Sequence, residues 1–190
     1  MASSSLRPSS PAPSVTPLET ITFPDGEQHH VIVRDAHRLV IEFRVDPMEE
    51  PNARHVHDCS DEVFEVLGGT LWFELEGVEH TLRAGDRIDI PRSAEHRWRV
   101  VGTDALHARV TFEPGCDFDT FLRDQAALAR AGRLRPDGTP GLRDFALMQR
   151  RHRRHLRVTI VPRPVLAGIV LAGTALAAVT GRQLPTPAAR

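Results

Sequence analysis

Residues 55–69 read HVHDCSDEVFEVLGG. His55 and His57 stand two apart, and on a strand of period two both side chains leave the same face, so two imidazoles converge on one point. Glu62 follows the polar loop DCSD, at the head of an apolar run in which Glu62, Phe64 and Val66 share a face. An unpaired carboxylate entering an apolar interior is costly, and a cation held beside the two imidazoles removes that cost. The stretch therefore predicts strands wrapped around an interior that carries a charged site.

Downstream, GDRIDIPRSAEHRWRV (residues 85–100) sets Ile88 and Ile90 on one side of a strand that Pro91 closes. His96, Trp98 and Val100 then alternate with Arg97 and Arg99, an apolar-in, charged-out strand that begins with an inward imidazole. One histidine on such a face is ordinarily a core residue satisfied by hydrogen bonds. Three histidines and a glutamate on inward faces of one small barrel exceed what packing requires. Around them, from residue 19 to about residue 114, short runs rich in Val, Ile, Phe and Trp are broken by Gly, Pro, Asp or Asn: ETITF, HHVIVR, RLVIEFRV, EVFEVL, TLWFELEG, HTLRAGDRIDIP, HRWRVVG and LHARVTFEP. That texture predicts an all-β sandwich or barrel.

The two stretches resemble the two signatures of the cupin superfamily. The first, H-x-H, four residues, E, six residues, G, is met by His55, His57, Glu62 and Gly69; the second, G, five residues, P, then H five positions on, is met by Gly85, Pro91 and His96. The 15 residues between Gly69 and Gly85 are similar to the short spacer of small bacterial single-domain cupins. The resemblance implies an all-β cupin barrel (double-stranded β-helix, jelly roll, RmlC-like) followed by C-terminal α-helices, and often a homodimer. It also makes His55, His57, Glu62 and His96 the ligands of one divalent transition metal, whether Fe, Mn, Ni, Co, Cu or Zn. Glu49, Ser93 and Val100 depart from the family pattern at positions that are not ligands.

Three imidazoles and one carboxylate leave two positions of an octahedral ion vacant. Such a site suits an oxygenase-type oxidoreductase acting on a small apolar or aromatic molecule; it also suits an isomerase, a decarboxylase, or a non-catalytic metal- or ligand-binding sensor. Phe64, Val66, Phe73, Ile88 and Trp98 are the candidate substrate pocket, within an inward set that Leu71, Leu75 and Ile90 complete as core. His80 reads as a strand-end surface residue or a group supporting the site, His107 and Arg109 face outward, and no general acid or base is legible beyond the ligands. Cys59, at the site mouth, and Cys116 read as passive thiols, and with no secretion signal legible a reducing cytoplasm is the expected compartment.

The rest divides by composition. Residues 1–18 are Ser- and Pro-rich and predict a disordered tail; 19–115 form the barrel; 116–157 predict a helical extension; 158–190 hold an apolar helix and a tail. In the extension, Asp117 or Asp119 caps a helix carrying Phe118, Phe121, Leu122, Ala126 and Leu128, Gly132 stops it, and a second helix runs from Leu142 to about His155 into RRHRRHLR. Residues 164–181 contain no charged residue. This segment reads either as an anchor tethering the barrel to the inner face of the membrane, or as a helix packed in a homodimer or on the sheet face that shows Trp72 and Glu74. A net charge of −1, with all 24 cationic side chains Arg, provides no basic field for nucleic acid, and the short basic run lacks interleaved aromatics.

Overall fold

The computed structural model describes residues 15–135 and 138–187, so most of the expected disordered tail, residues 1–18, lies outside the described residues. The strands are β1 (Glu19–Thr22), β2 (Gln28–Arg34), β3 (Leu39–Val45), β4 (His55–Val56), β5 (Asp61–Gly68), β6 (Thr70–Leu75), β7 (Val78–Arg83), β8 (Arg87–Ile90), β9 (His96–Val101), β10 (Leu106–Glu113) and β11 (Arg157–Val158). They form two antiparallel sheets, ordered β1-β2-β3-β10-β5-β8 and β11-β4-β9-β6-β7. The strand runs predict an all-β sandwich or barrel, and the fold is a jelly-roll barrel followed by C-terminal helices, as the cupin resemblance implies. Period-two alternation holds: Leu106, Ala108, Val110 and Phe112 of β10 point inward, as do Glu62, Phe64 and Val66 of β5. Glu62 apart, these residues make one apolar core between the sheets with Leu71, Phe73, Ile88, Ile90 and Val100, each large side chain contributing about 1.5–3 kcal/mol by burial.

Two turns set the register. The run HTLRAGDRIDIP is split between sheets, because Asp86 accepts the Arg83 N–H at 2.8 Å and reverses the chain between β7 and β8. At Gly69, φ is +80°, and a Cβ would lie 2.7 Å from the Ala105 carbonyl oxygen, so the turn that carries β5 into β6 admits only glycine.

Helix α1 (Phe118–Arg130) buries Leu122, Ala126 and Leu128, as its spacing predicts. Neither expected carboxylate caps it: Asp117 adopts a left-handed backbone without a side-chain cap, and Asp119 is buried in ion pairs with Arg34, at 2.7 Å, and Arg123. Two guanidiniums outcompete a pair of backbone N–H groups for a buried carboxylate. Helix α2 (Leu142–His152) stops three residues before the expected His155, since the chain turns at His152 and residues 157–158 join β4 as β11.

Helix α3 (Arg163–Val179) corrects the membrane expectation for residues 164–181. It has 17 residues, and no helix among the described residues is long and apolar enough to cross a membrane. Its small residues serve a different neighbour, for Gly173 and Ala177 are buried and Gly173 lies over Ala146 of α2. Nor does α3 cover the sheet face at Trp72 and Glu74. Arg97 and Arg99 lie over the Trp72 ring at 5.4 and 5.5 Å, and Glu74 pairs with Arg54 and Arg97 at 2.6 and 2.7 Å.

Candidate metal centre

His55 enters the barrel from β4, His96 from the start of β9, and the two are register partners across the sheet. His57 follows β4, and Glu62 enters from β5 in the opposite sheet. The four side chains are buried, with residue exposures of 5%, 4%, 5% and 2% for His55, His57, Glu62 and His96. The three imidazoles can each offer a nitrogen within 4.8 Å of the other two.

The ring orientations follow from backbone acceptors. His55 Nδ1 donates to the Ala53 carbonyl at 2.8 Å, His96 Nδ1 to the Ala94 carbonyl at 3.1 Å, and His57 Nδ1 to the His155 carbonyl. With every Nδ1 carrying its proton to a carbonyl, each ring in its neutral form keeps its lone pair on Nε2. Glu62 Oε2 lies 3.3 Å from His57 Nε2 and 3.2 Å from His96 Nε2. Yet neither Glu62 Oε2 nor His96 Nε2 has an aligned hydrogen-bond partner. A buried carboxylate oxygen and a buried imidazole nitrogen left facing one another in this way form a donor set that fits a cation.

Burial and mutual charge set the protonation of the cluster. Burial, reinforced by the neighbouring His96 and His57, holds the His55 pKa well below the ordinary histidine value, so this ring is neutral. Burial also opposes charge on Glu62 and His96, but their mutual attraction and His57 prevail. The Glu62 carboxyl sits below its usual range and His96 above its own.

Aromatic rings enclose the cluster. Phe73 stacks on His96 with centroids 5.7 Å apart, and Phe112 and Phe118 each present an edge to His57 at 5.2 Å. Trp98 meets Phe64 at 5.7 Å. Phe64, Val66, Phe73 and Ile88 are buried in the core, with Trp98 packed against it. His80 is half-buried opposite Phe73 and lies outside the histidine cluster, while Arg109 and His107 face outward toward Glu42. Burial, and then hydrogen bonding with the Cys116 side chain, pushes the Cys59 thiol up to about 12, so little of it is thiolate.

Sequence reading misses Phe118, which reaches His57 from α1, and the whole of the 152–159 segment. Arg157 pairs with Asp58, adjacent to His57, through Nε at 2.7 Å and Nη2 at 3.0 Å. His152 Nε2 donates to Asp124 Oδ2 of α1 at 2.7 Å in a buried pair. A histidine spacing of three inside the basic run was the available signal.

A family model described as "Cupin domain" matches residues 41–112. Protein SchB of Streptomyces halstedii is 35% identical over 63 residues, which are 33% of this chain and 44% of that protein, so the match spans less than half of the relative. Among solved structures, an RmlC-like cupin from Shewanella frigidimarina aligns with a TM-score of 0.46 and 20% identity, over 52% of this chain and 86% of that one. A conserved protein with a double-stranded β-helix domain from Klebsiella pneumoniae aligns with a TM-score of 0.42 and 20% identity, over 47% and 77%.

Proposed function

We propose that the chain, whose residues 41–112 match the cupin-domain model, is a cupin in which His55, His57, Glu62 and His96 hold one divalent transition metal in a mononuclear enzyme of the oxygenase type. The observation that carries this reading is the common orientation of the three imidazoles: each Nδ1 is committed to a carbonyl, and a nitrogen of each ring lies within 4.8 Å of the other two. A bound ion of this class supplies Lewis acidity and, if redox-active, access to dioxygen chemistry. Glu62 contributes the negative charge that makes a divalent ion tolerable at this depth, and the neutral imidazoles complete the set. Phe64, Val66, Phe73, Ile88 and Trp98 form the apolar wall, which excludes water and favours an apolar or aromatic ligand over a sugar.

A second reading, a metal-dependent ligand-binding or sensor protein, draws support from enclosure. All four candidate ligands are nearly inaccessible, and Phe118 packs over His57. Dioxygen consumption by iron-loaded protein, surveyed over catechols, flavonoids and thiols, distinguishes the two. Uptake with one class, abolished in Glu62→Ala, supports the enzyme; tight binding of one class with no uptake supports the sensor.

A further inference from the structure

Strand β4 is only two residues long, yet it carries His55 and leads directly into His57. Within the barrel its neighbour is β9, through the pair His55–His96. On its other side lies β11, from the helical extension, with Arg157 opposite Val56, Val158 opposite His55, and the Thr159 N–H donating to the Arg54 carbonyl at 2.9 Å. Two further contacts act on the same few residues: Arg157 grips Asp58 through two nitrogens, and the His155 carbonyl accepts the His57 Nδ1 proton. This segment is anchored at both ends, by the buried His152–Asp124 pair and by the buried Val158.

We infer that residues 152–159 form a strap that belongs to the metal centre, with Arg157 as a positioning residue, so that docking of the strap and loading of the metal stabilise one another. The inference rests on the metal-binding reading above. Its physical basis is reciprocity: if the docked strap holds His55 and His57 in their binding orientation, a bound ion must favour the docked strap by the same factor. Partners that orient metal-ligating histidines are typically worth 10–100-fold in affinity. Arg157 touches no candidate ligand itself; it acts through Asp58 and the β4–β11 pairing.

Ni(II) alone is a sufficient probe, with affinity read by competition against a chromophoric chelator on the full chain. Arg157→Gln is expected to weaken Ni(II) binding about 10–100-fold, and Arg157→Lys, which keeps the charge but loses the fork, to recover part of that. Arg87→Gln, which removes an exposed pair with Asp89 on the other sheet, is expected to leave it unchanged. Independently, Arg153 and Arg154 are exposed tryptic sites within the strap, and saturating Ni(II) is expected to slow cleavage of the wild-type chain there. The protection experiment needs no variant, so it decides the matter alone if Arg157→Gln fails to fold. Wild-type protein that binds no Ni(II) overturns both the metal reading and the strap. Wild-type protein that binds it, with equal affinity in a folded Arg157→Gln and equal cleavage with and without Ni(II), overturns the strap alone.

Discussion

Replacing Gly173 by Ala should destabilise the protein, although Gly→Ala inside a helix ordinarily does the opposite. Gly173 lies within α3, where Ala is favoured by about 0.8–1 kcal/mol. Its Cβ, however, would lie 2.5 Å from Ala146 Cβ and 3.2 Å from the Leu142 carbonyl oxygen of α2. Neither atom is the free end of a flexible side chain, so the helices must separate, and overpacking of this kind costs about 1–3 kcal/mol. The net expectation is a loss of up to about 2 kcal/mol, or a fall in Tm of up to about 8 °C in a chain of this size. Gly168, five residues earlier, meets nothing within 4 Å, so Gly168→Ala should raise stability by about 0.4–1 kcal/mol. Thermal melts of the two variants under identical conditions give opposite signs if α3 is docked on α2. A rise in Tm for both would refute the docking, because it is the outcome for a helix with nothing against either glycine.

Hydrogen bonding from Arg123, outweighing the opposing effect of burial and helped by Arg34, holds Glu19 at about 2 against an ordinary 4.5. A depressed carboxylate stabilises the fold above its unfolded pKa, and that stability is lost as pH falls from about 4.5 toward 2. The shift caps the contribution at about 3 kcal/mol, and partial exposure leaves about 1–2. Urea midpoints of wild type and Glu19→Gln should therefore differ near pH 6 and converge near pH 2; a constant gap would exclude the ion pair as the cause. Cys59, with its thiol at about 12 rather than 9.0, should carry about a thousandfold less thiolate than an exposed cysteine. Rapid labelling of native Cys59 by a maleimide at pH 8, located by peptide mapping, would contradict that burial. Because Glu62 outweighs burial and raises His96 above 6.5, a proton on His96 competes with the metal. Apparent metal affinity should begin to fall while the pH is still above 6.5, and a flat profile down to pH 6 would argue against His96 as a ligand.

The barrel was legible because strands that bury one face must alternate, and this chain alternates clearly from Glu62 to Val66 and from His96 to Val100. The ligand candidates were legible for the same reason: a charged or imidazole side chain on an apolar face breaks the pattern conspicuously. What escaped was long-range or carried by the backbone. Arg157 sits in a basic run that reads as a solvated helix end, and its partner Asp58 lies 99 residues away. The His155 contact to His57 is made by a carbonyl, which every residue possesses, so no side-chain signature announces it. Strand β11 has two residues, too few for a period to be read. Composition could not choose a setting for α3, since an uncharged segment rich in small residues suits a bilayer and a close helix pair alike; the packing of Gly173 on Ala146 is a tertiary fact.

Everything proposed for the site depends on His55, His57, Glu62 and His96 binding one ion. Elemental analysis of protein purified without added metal, beside a His55→Ala/His96→Ala double variant shown to fold by its melting curve, tests it most directly. The wild type should carry near-stoichiometric transition metal and the variant almost none. Equal metal content in the two proteins would contradict it.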